Sequence, residues 1–229
     1  AHLQKNRCDS RVYLYPWKNC FLFFGFLFSF FLIFGSIFFS SLIYIINCSQ
    51  RKIMLRLRPY KKSDAEYIIS WLNNEEIFSL WGGERFGQFP ITPDIINDKY
   101  FNNNGDCEEA DNFYPLTAVE DNGPIGHFII RYINGNNRIL RFGWVIIDKN
   151  IRGQKIGQKM LKLGLKYSFE ILNAERVTIG VFENNLPALN CYLSCGFHKS
   201  EILEDSLCDC NKEMIKVLEL EILKDEYKF

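Results

Sequence analysis

The feature that most constrains this chain is a stretch of 26 residues without a charge, from Phe21 to Ile46. A helix of that length, at about 1.5 Å per residue, spans the ~30 Å hydrocarbon core of a bilayer with some tilt. Basic residues flank both ends, so the flanking charges give no clear orientation. The stretch is too long for an ordinary signal peptide, and no Ala-x-Ala-like cleavage site follows it. A membrane helix is therefore one interpretation of this segment.

Met54 supports a second interpretation. The chain carries no Met before this position, and the run Met54-Leu-Arg-Leu-Arg-Pro-Tyr is typical of the opening of a folded domain. Residues 1–53 are then upstream translation that is not native to the protein. Both alternatives stay open, and the predicted organisation is an N-terminal extension over 1–53, containing the hydrophobic segment 21–46, and a folded domain over 54–229. The expected location is the cytoplasm, with a membrane anchor if 21–46 is genuine.

Charge and cysteine patterns exclude several classes of function. The net charge is zero, but residues 1–53 hold six Lys/Arg and one acid, which leaves 21 basic and 26 acidic residues beyond them, a net charge of −5. A domain with this balance binds phosphate backbones poorly, so nucleic acid is not an expected partner. The eight Cys lack the spacing of a disulfide framework or a zinc site. We therefore expect free thiols and no metal.

Apolar periodicity after Met54 alternates between the spacings of strands and helices, which predicts a mixed α/β domain. Helices are predicted over Ala65–Asn73, Pro93–Phe101, Gly157–Asn173 and Leu186–Cys195. Strands are predicted over Leu55–Arg58, Tyr114–Glu120, Ile125–Ile133, Arg138–Asp148, Arg176–Val181, Phe197–Leu203 and Met214–Ile222. Trp81–Pro93 is expected to be irregular and Asp205–Asn211 to be a bend. Gly143, inside a predicted strand, indicates a bulge or a close backbone approach.

A basic loop with two glycines joins the strand that ends at Asp148 to the helix that starts at Gly157. Unpaired backbone N–H groups at a helix N-terminus favour an anion such as a diphosphate. Arg152 and Lys155 add positive charge near the same point. Gly153 and Gly157 allow a ligand to approach the backbone closely. A solvated surface turn would have the same local pattern, so the loop alone does not identify a site.

A second motif follows about thirty residues later. Asn185, Ala188 and Tyr192 are spaced i, i+3 and i+7 and therefore share one face of the predicted helix. A small residue beside a tyrosine leaves room for a ligand next to a phenol. A phenol can donate a proton to a leaving thiolate.

The two motifs together resemble those of the GNAT superfamily of N-acetyltransferases. Gly143–Gly157 is similar to that family's strand followed by an Arg/Gln-x-x-Gly-x-Gly/Ala loop, and Asn185-x-x-Ala188-x-x-x-Tyr192-x-x-x-Gly196-Phe197 is similar to its second motif. The likeness extends from about Met54 to Ile222. The opening Leu55-Arg-Leu-Arg-Pro-Tyr also looks like the bacterial branch that acetylates the N-termini of ribosomal proteins. The resemblance implies a mostly antiparallel central sheet, flanked by helices and splayed where the cofactor enters.

The resemblance also implies a reaction and a set of site residues. The reaction would be direct transfer of an acetyl group from acetyl-CoA to a primary amine. The backbone of Val145, Ile146 and Ile147 would pair with the pantetheine arm and polarise the thioester carbonyl. Asn185 and Ala188 would contact that arm, and Tyr192 would be the general acid for the CoA thiolate. The pyrophosphate would be held by Arg152, Gly153, Gln154, Lys155, Ile156 and Gly157.

Two positions depart from the family pattern. Lys155 stands where the family's loop has its first Gly, and a left-handed backbone there costs about 1 kcal/mol or more. Arg141 lies near the usual position of a catalytic Glu, so the general base is unassigned. By residue type, the candidates are Glu84, Glu120 and Asp148, and an ordered water relay is a further alternative.

These departures leave a rival function, an acyl-CoA-binding sensor or interaction module without turnover. The acceptor is also open among peptide N-termini, polyamines, amino sugars and antibiotics. Exposed sheet edges are compatible with a homodimer. His127, in the middle of a strand, is expected to be structural, and Trp81–Glu84 either lines the acceptor site or only anchors a loop.

Overall fold

The computed structural model describes residues 54–133, 135–210 and 213–228. The predictions for the extension 1–53 and its segment 21–46 lie outside the described residues. Within the described ranges, no helix is both long and apolar enough to cross a membrane.

An eight-stranded sheet organises the described part of the chain. Its strands are β1 (Arg56–Pro59), β2 (Phe113–Glu120), β3 (Gly123–Ile133), β4 (Asn136–Ile147), β5 (Arg176–Phe182), β6 (His198–Lys199), β7 (Ser206–Cys210) and β8 (Glu213–Leu223). The order across the sheet is β1-β2-β3-β4-β5-β8-β6, and β7 pairs with β8. Neighbours are antiparallel except β4 and β5, which run parallel. This agrees with the expected mostly antiparallel sheet.

Helices cover both faces of the sheet. They are α1 (Asp64–Trp71), α2 (Glu75–Leu80), α3 (Pro93–Phe101), α4 (Ile156–Lys166) and α5 (Leu186–Leu193). The side chains of α1, α2 and α3 form one core with Ile129 and Ile146, and those of α4 and α5 form another with Phe128 and Phe142. Successive residues of β3 therefore contribute to different cores, as the period of two along a strand requires.

The helix after the glycine loop packs on the sheet through one face. Met160, Leu161, Gly164 and Leu165 are buried. A Cβ at Gly164 would lie 2.7 Å from Cζ of Phe128, so glycine there lets α4 sit close on the sheet. The predicted helix over Gly157–Asn173 is regular only to Lys166 and continues as one π-helical turn over Tyr167–Ile171.

Three segments differ from the sequence predictions. The predicted strand Phe197–Leu203 is ordered only as β6, because the Ser200 hydroxyl accepts the N–H groups of Ile202 and Leu203 and turns the chain. The predicted bend Asp205–Asn211 contains β7, which gains its hydrogen bonds from β8. Helix α2 was not predicted, although the side chain of Asn74 caps it by accepting the N–H of Ile77.

The carboxylate of Asp64, in the first turn of α1, links three elements of the fold. It accepts two hydrogen bonds from Arg58, at 2.7 and 2.8 Å, and one from the Thr117 hydroxyl at 2.7 Å. Burial alone would raise the pKa of Asp64, but these hydrogen bonds and that of the Lys61 N–H hold it below its usual value. The carboxylate thereby ties β1, α1 and β2 together.

Candidate active site

Strands β4 and β5 separate halfway along the sheet. Their parallel pairing runs from Ile139 opposite Arg176 to Phe142 opposite Ile179 and then stops. Strand β4 continues to Ile147, while β5 stays paired with β8 as far as Phe182. The edge of β4 beyond Phe142 therefore has no partner strand on this side among the described residues. A cavity of about 330 Å³ opens between the two strands, lined in part by Gly143, Val145 and Val181.

A bulge in β4 shapes the cavity edge. On β3, Ile129 faces Gly143 and His127 faces Ile146, so two residues of β4, Trp144 and Val145, oppose one residue of β3. Trp144 has a φ of +47°, which is unusual for a residue with a side chain. A bulge re-aims backbone and side-chain groups and is frequent next to functional sites. Its position beside Gly143 agrees with the sequence prediction.

The glycine loop turns into α4 through two left-handed residues. Gly153 has φ +80°, and no atom lies within 4 Å of a Cβ built on it. Lys155 has φ +60° and ψ 14° and immediately precedes the first residue of α4, Ile156. The backbone thus adopts the left-handed conformation at Lys155, where the resembling family has glycine. The first N–H groups of α4 have no partner within the helix and face the loop.

Arg152 is held by the protein backbone. Its Nε donates to the carbonyl oxygen of Ile147 at 3.2 Å, and its Nη2 donates to that of Trp71 at 3.3 Å. Burial lowers the pKa of Arg152, with Asp148 acting in the opposite direction. Arg152 therefore fastens the loop to the end of β4 and to α1, a role in addition to the expected one of adding positive charge.

Gly157 lies at the contact between α4 and α5. A Cβ at this position would lie 3.3 Å from Sγ of Cys191 and 3.7 Å from Cγ1 of Ile147. Glycine here lets α5 approach the first turn of α4. The sequence suggested ligand approach as the reason for this glycine, and the structure adds helix packing.

Helix α5 brings the second motif to the cavity. Asn185, Ala188 and Tyr192 all line it. The side-chain oxygen of Asn185 accepts the N–H of Ala188 at 3.2 Å and caps the helix. Tyr192 is 6% exposed, and burial is the main cause that raises its pKa well above its usual range. A phenol with a raised pKa stays protonated at neutral pH and can act as a proton donor.

The opposite wall of the cavity comes from the segment after α2. Trp81, Gly82, Glu84 and Arg85 line it, in a short 3₁₀ turn and the residues before it. One carboxylate oxygen of Glu84 is buried and has no hydrogen-bond partner among the described residues. Trp81, Gly82 and Glu84, three of the four residues of Trp81–Glu84, therefore lie in the cavity wall.

The three candidate bases lie in different places. Glu84 is in the cavity wall, whereas Glu120 faces Gly123 at the β2–β3 turn. Asp148 accepts the N–H of Asn150 and caps a short turn at the end of β4. Glu120 and Asp148 are not among the residues that line this cavity. Within the described ranges, no group of three or more His, Cys, Asp or Glu is placed to hold a metal ion.

Four residues of the cavity were not predicted from the sequence to belong to the site: Arg131, Arg141, Gly180 and Glu219. Arg141 on β4 pairs with Glu219 on β8, and Gly180 on the intervening strand leaves room for the contact. Arg131 on β3 lies directly opposite Arg141 and also lines the cavity. A Gly inside a strand indicates close approach, so Gly180 was the one signal in the sequence.

Comparisons with known proteins agree with this geometry. The family model described as the acetyltransferase (GNAT) domain matches residues 54–198. The spermidine N(1)-acetyltransferase of Vibrio cholerae is 26% identical over 174 residues, which cover 76% of this chain and 95% of that protein. That of Escherichia coli K12 is 24% identical over 143 residues, covering 62% of this chain and 72% of that protein.

The fold is also similar to a solved structure of the Vibrio cholerae spermidine N-acetyltransferase in complex with CoA and spermine. The TM-score is 0.62 at 25% sequence identity, covering 76% of this chain and 97% of that one. These relatives are named for small-molecule amines, whereas the branch suggested by the opening residues acts on protein N-termini. The family model spans more than half of the chain and includes the splayed strands, the glycine loop and helix α5. The chain therefore belongs to the GNAT acetyltransferase family and is an acyl-CoA-dependent N-acetyltransferase.

Proposed function

We propose that this enzyme acetylates the primary amine of a small molecule, with acetyl-CoA bound between β4 and β5. The observation that carries the proposal is the cavity at the splay, because Tyr192 and Glu84 lie in its walls together with the unpaired edge of β4. The similarity to acetyltransferases named for spermidine supports a small-molecule acceptor over a protein N-terminus.

Acetyl-CoA would be held by backbone groups more than by side chains. The N–H groups at the start of α4, from Lys155 to Gly157, suit the pyrophosphate because the positive end of the helix dipole lies there. Gly153 and Gln154 complete the loop, and Arg152 keeps it fastened to β4. The pantetheine arm would pair with the free edge of β4 at Val145, Ile146 and Ile147, beside Asn185 and Ala188.

The reaction forms a C–N bond and breaks the thioester C–S bond. The neutral amine attacks the carbonyl carbon, and an N–H of β4 near Val145 stabilises the oxyanion. The amine proton passes to Glu84, directly or through a water. The leaving thiolate takes a proton from Tyr192. Holding amine and thioester together in one cavity supplies much of the rate enhancement.

Replacement of Tyr192 by Phe tests the proposed proton donor. We expect kcat for thiol release to fall by about 100-fold or more, the usual contribution of a positioned acid. The KM for acetyl-CoA should stay within about twofold, because the proposed contact of the Tyr192 hydroxyl with the sulfur forms only as the thiolate leaves. Tyr67→Phe, at a tyrosine that is 44% exposed on α1, is the matched control. An unchanged kcat in the Tyr192 variant would remove this residue from the mechanism.

A further inference from the structure

The charges in the cavity wall are unusual for an enzyme whose named relatives act on polyamines. Arg85, Arg131 and Arg141 line it, against two acids, Glu84 and Glu219. The Arg141 guanidinium donates two hydrogen bonds to the Glu219 carboxylate, at 2.7 and 2.8 Å. This pair is close to neutral as a unit. Among the described residues, the remaining charges of the wall are therefore two cations, Arg85 and Arg131, and one acid, Glu84.

Of the two cations Arg85 and Arg131, Arg131 is the more buried and so is the more destabilised without an anionic partner. It is half-buried, and in the antiparallel pairing of β3 with β4 it lies directly opposite Arg141, a like charge. Like charges that face each other across a strand pair are destabilising. Among residues 54–133, 135–210 and 213–228, no carboxylate lies within ion-pair distance of Arg131.

The surroundings of Arg131 add to this conclusion. Burial is the main cause that lowers its pKa, followed by the charge of Arg141, and Arg85 acts in the same direction. The thiol of Cys107 is its hydrogen-bonding neighbour and does not supply a full negative charge. A partly buried cation without an anion is costly, and a bound anion would relieve that cost.

Glu84 has the complementary requirement in the same cavity. One of its carboxylate oxygens is buried without a hydrogen-bond partner among the described residues. An ammonium group of the acceptor would satisfy it. A ligand that satisfies both Glu84 and Arg131 must carry an amine and an anionic group.

We propose that the acceptor is a primary amine that also bears a carboxylate or phosphate, and that Arg131 binds this anion. The inference rests on the proposed function and narrows its substrate class. A polyamine carries only positive charges. It would place cations near Arg85 and Arg131 and give neither arginine an anionic partner. Arg131 acts as a specificity-determining residue and takes no part in proton transfer.

Matched amine pairs test the substrate class with the full chain and acetyl-CoA. The pairs are L-lysine with 1,5-diaminopentane, and O-phosphoethanolamine with ethanolamine; spermidine is added as a polycation. We expect kcat/KM to be at least about tenfold higher for the acid-bearing member of one pair, the effect of one charge-assisted contact. The pair that shows the preference distinguishes carboxylate from phosphate.

Substitution of Arg131 tests its role. Arg131→Met should abolish the preference through the acceptor's KM and leave the KM for acetyl-CoA unchanged. Arg131→Lys should keep part of the preference, and it serves as the second variant if the Met variant fails to fold. Arg138→Met is the control, because Arg138 lies on the same sheet, is largely exposed and pairs with Glu175.

The outcomes separate the two proposals. If spermidine and 1,5-diaminopentane are the better acceptors and Arg131→Met leaves the ratios unchanged, the acid-bearing acceptor is overturned and the acetyltransferase proposal stands. If acetyl-CoA binds but no small amine releases thiol, the proposed function fails and this inference fails with it. A tenfold preference that disappears in Arg131→Met supports both.

Discussion

The guanidinium of Arg141 and the carboxylate of Glu219 form a bidentate ion pair, with hydrogen bonds of 2.7 and 2.8 Å. The pair crosses β5, the strand that lies between β4 and β8. The pair is possible because Gly180 on β5 has no side chain. A Cβ there would lie 2.7 Å from Nη2 of Arg141 and 3.4 Å from Oε1 of Glu219. The contact joins β4, β5 and β8 on the face that lines the cavity, just where β4 and β5 begin to separate.

Gly180→Ala should therefore weaken both stability and activity. We expect a loss of about 1–3 kcal/mol in the free energy of unfolding, the usual cost of inserting a methyl group where there is no space. The acceptor's KM should rise, because Arg141 is displaced toward the cavity. Urea unfolding and initial rates measure the two effects.

A double-mutant cycle shows whether the Arg141 side chain is the cause. In the Arg141→Met background, Gly180→Ala should cost clearly less than in the wild type, because the shorter side chain no longer crosses the glycine. Equal costs in the two backgrounds would contradict the explanation and point to Val217, whose Cγ1 lies 3.2 Å from the same Cβ position.

Lys155→Gly should stabilise the enzyme. Lys155 has φ +60°, a conformation that costs a residue with a Cβ about 1–2 kcal/mol, while glycine loses about 0.5–1 kcal/mol of unfolded-state entropy. The expected net gain is about 0.5–1 kcal/mol in urea unfolding. The affinity for acetyl-CoA should fall little, since the backbone N–H groups keep their positions.

The control for this prediction is Lys159→Gly, four residues later within α4. Lys159 is exposed and helical, so glycine there should destabilise by about 1 kcal/mol. If both substitutions destabilise equally, the left-handed backbone at Lys155 is not a source of strain. If acetyl-CoA affinity falls sharply only in Lys155→Gly, the ammonium group contributes more than the backbone.

Features set by local spacing were predictable from the sequence. Helix α3 runs from Pro93 to Phe101 as predicted, because proline suits a first helical turn and the apolar residues keep a helical period. The buried face of α4 and the cap of α5 at Asn185 follow from the same local rules. Local spacing did not show that the glycine loop and α5 belong to one site. The resemblance to the GNAT superfamily predicted it, because both motifs bind the same cofactor in that family.

Features that depend on distant pairs could not be read from one sequence. Arg141 and Glu219 are 78 positions apart, and Thr117 and Asp64 are 53 apart. Neither pair has a local signal, because each depends on the register of strands. Strand β7 was missed for the same reason. Its short sequence has no strand pattern of its own, and the segment is extended because it pairs with β8. Glu84 could be named by type, but only the fold brings it to the cavity.

His127 should make the folded protein sensitive to acid. Its side chain is fully buried and its Nε2 lies 2.8 Å from the Tyr100 hydroxyl. Burial lowers the pKa of His127 to about 3 from its usual 6.5. The unfolded chain then binds a proton below pH 6.5 that the folded chain does not, so stability falls as the pH drops from 6.5 toward 3. The slope from this group approaches about 1.4 kcal/mol per pH unit.

Urea unfolding between pH 7 and pH 4.5 measures the slope, above the range in which Asp64 titrates. His127→Gln should flatten the curve, because glutamine can keep a hydrogen bond to Tyr100 and does not titrate. His198 is the contrasting residue: its hydrogen bond to Glu226, followed by that to the Lys199 carbonyl, raises its pKa. His198 therefore contributes more to the free energy of unfolding at low pH. Replacing it by Gln should not reduce the loss of stability between pH 7 and pH 4.5. If the stability of His127→Gln falls as steeply with pH as that of the wild type, His127 is not the cause of the acid sensitivity.

The acetyltransferase should not require residues 1–53. The family model begins at residue 54, and β1 begins at Arg56, where it pairs with β2. Among the described residues, those that line the cavity lie between Leu80 and Glu219. We therefore expect a protein that starts at Met54 to release thiol with the same KM for acetyl-CoA as the full chain. Its melting temperature should also rise on addition of acetyl-CoA, because a ligand that binds only the folded state stabilises it. An insoluble product, or a soluble one that neither binds acetyl-CoA nor turns over, would show that the N-terminal extension contributes to the fold or to the site.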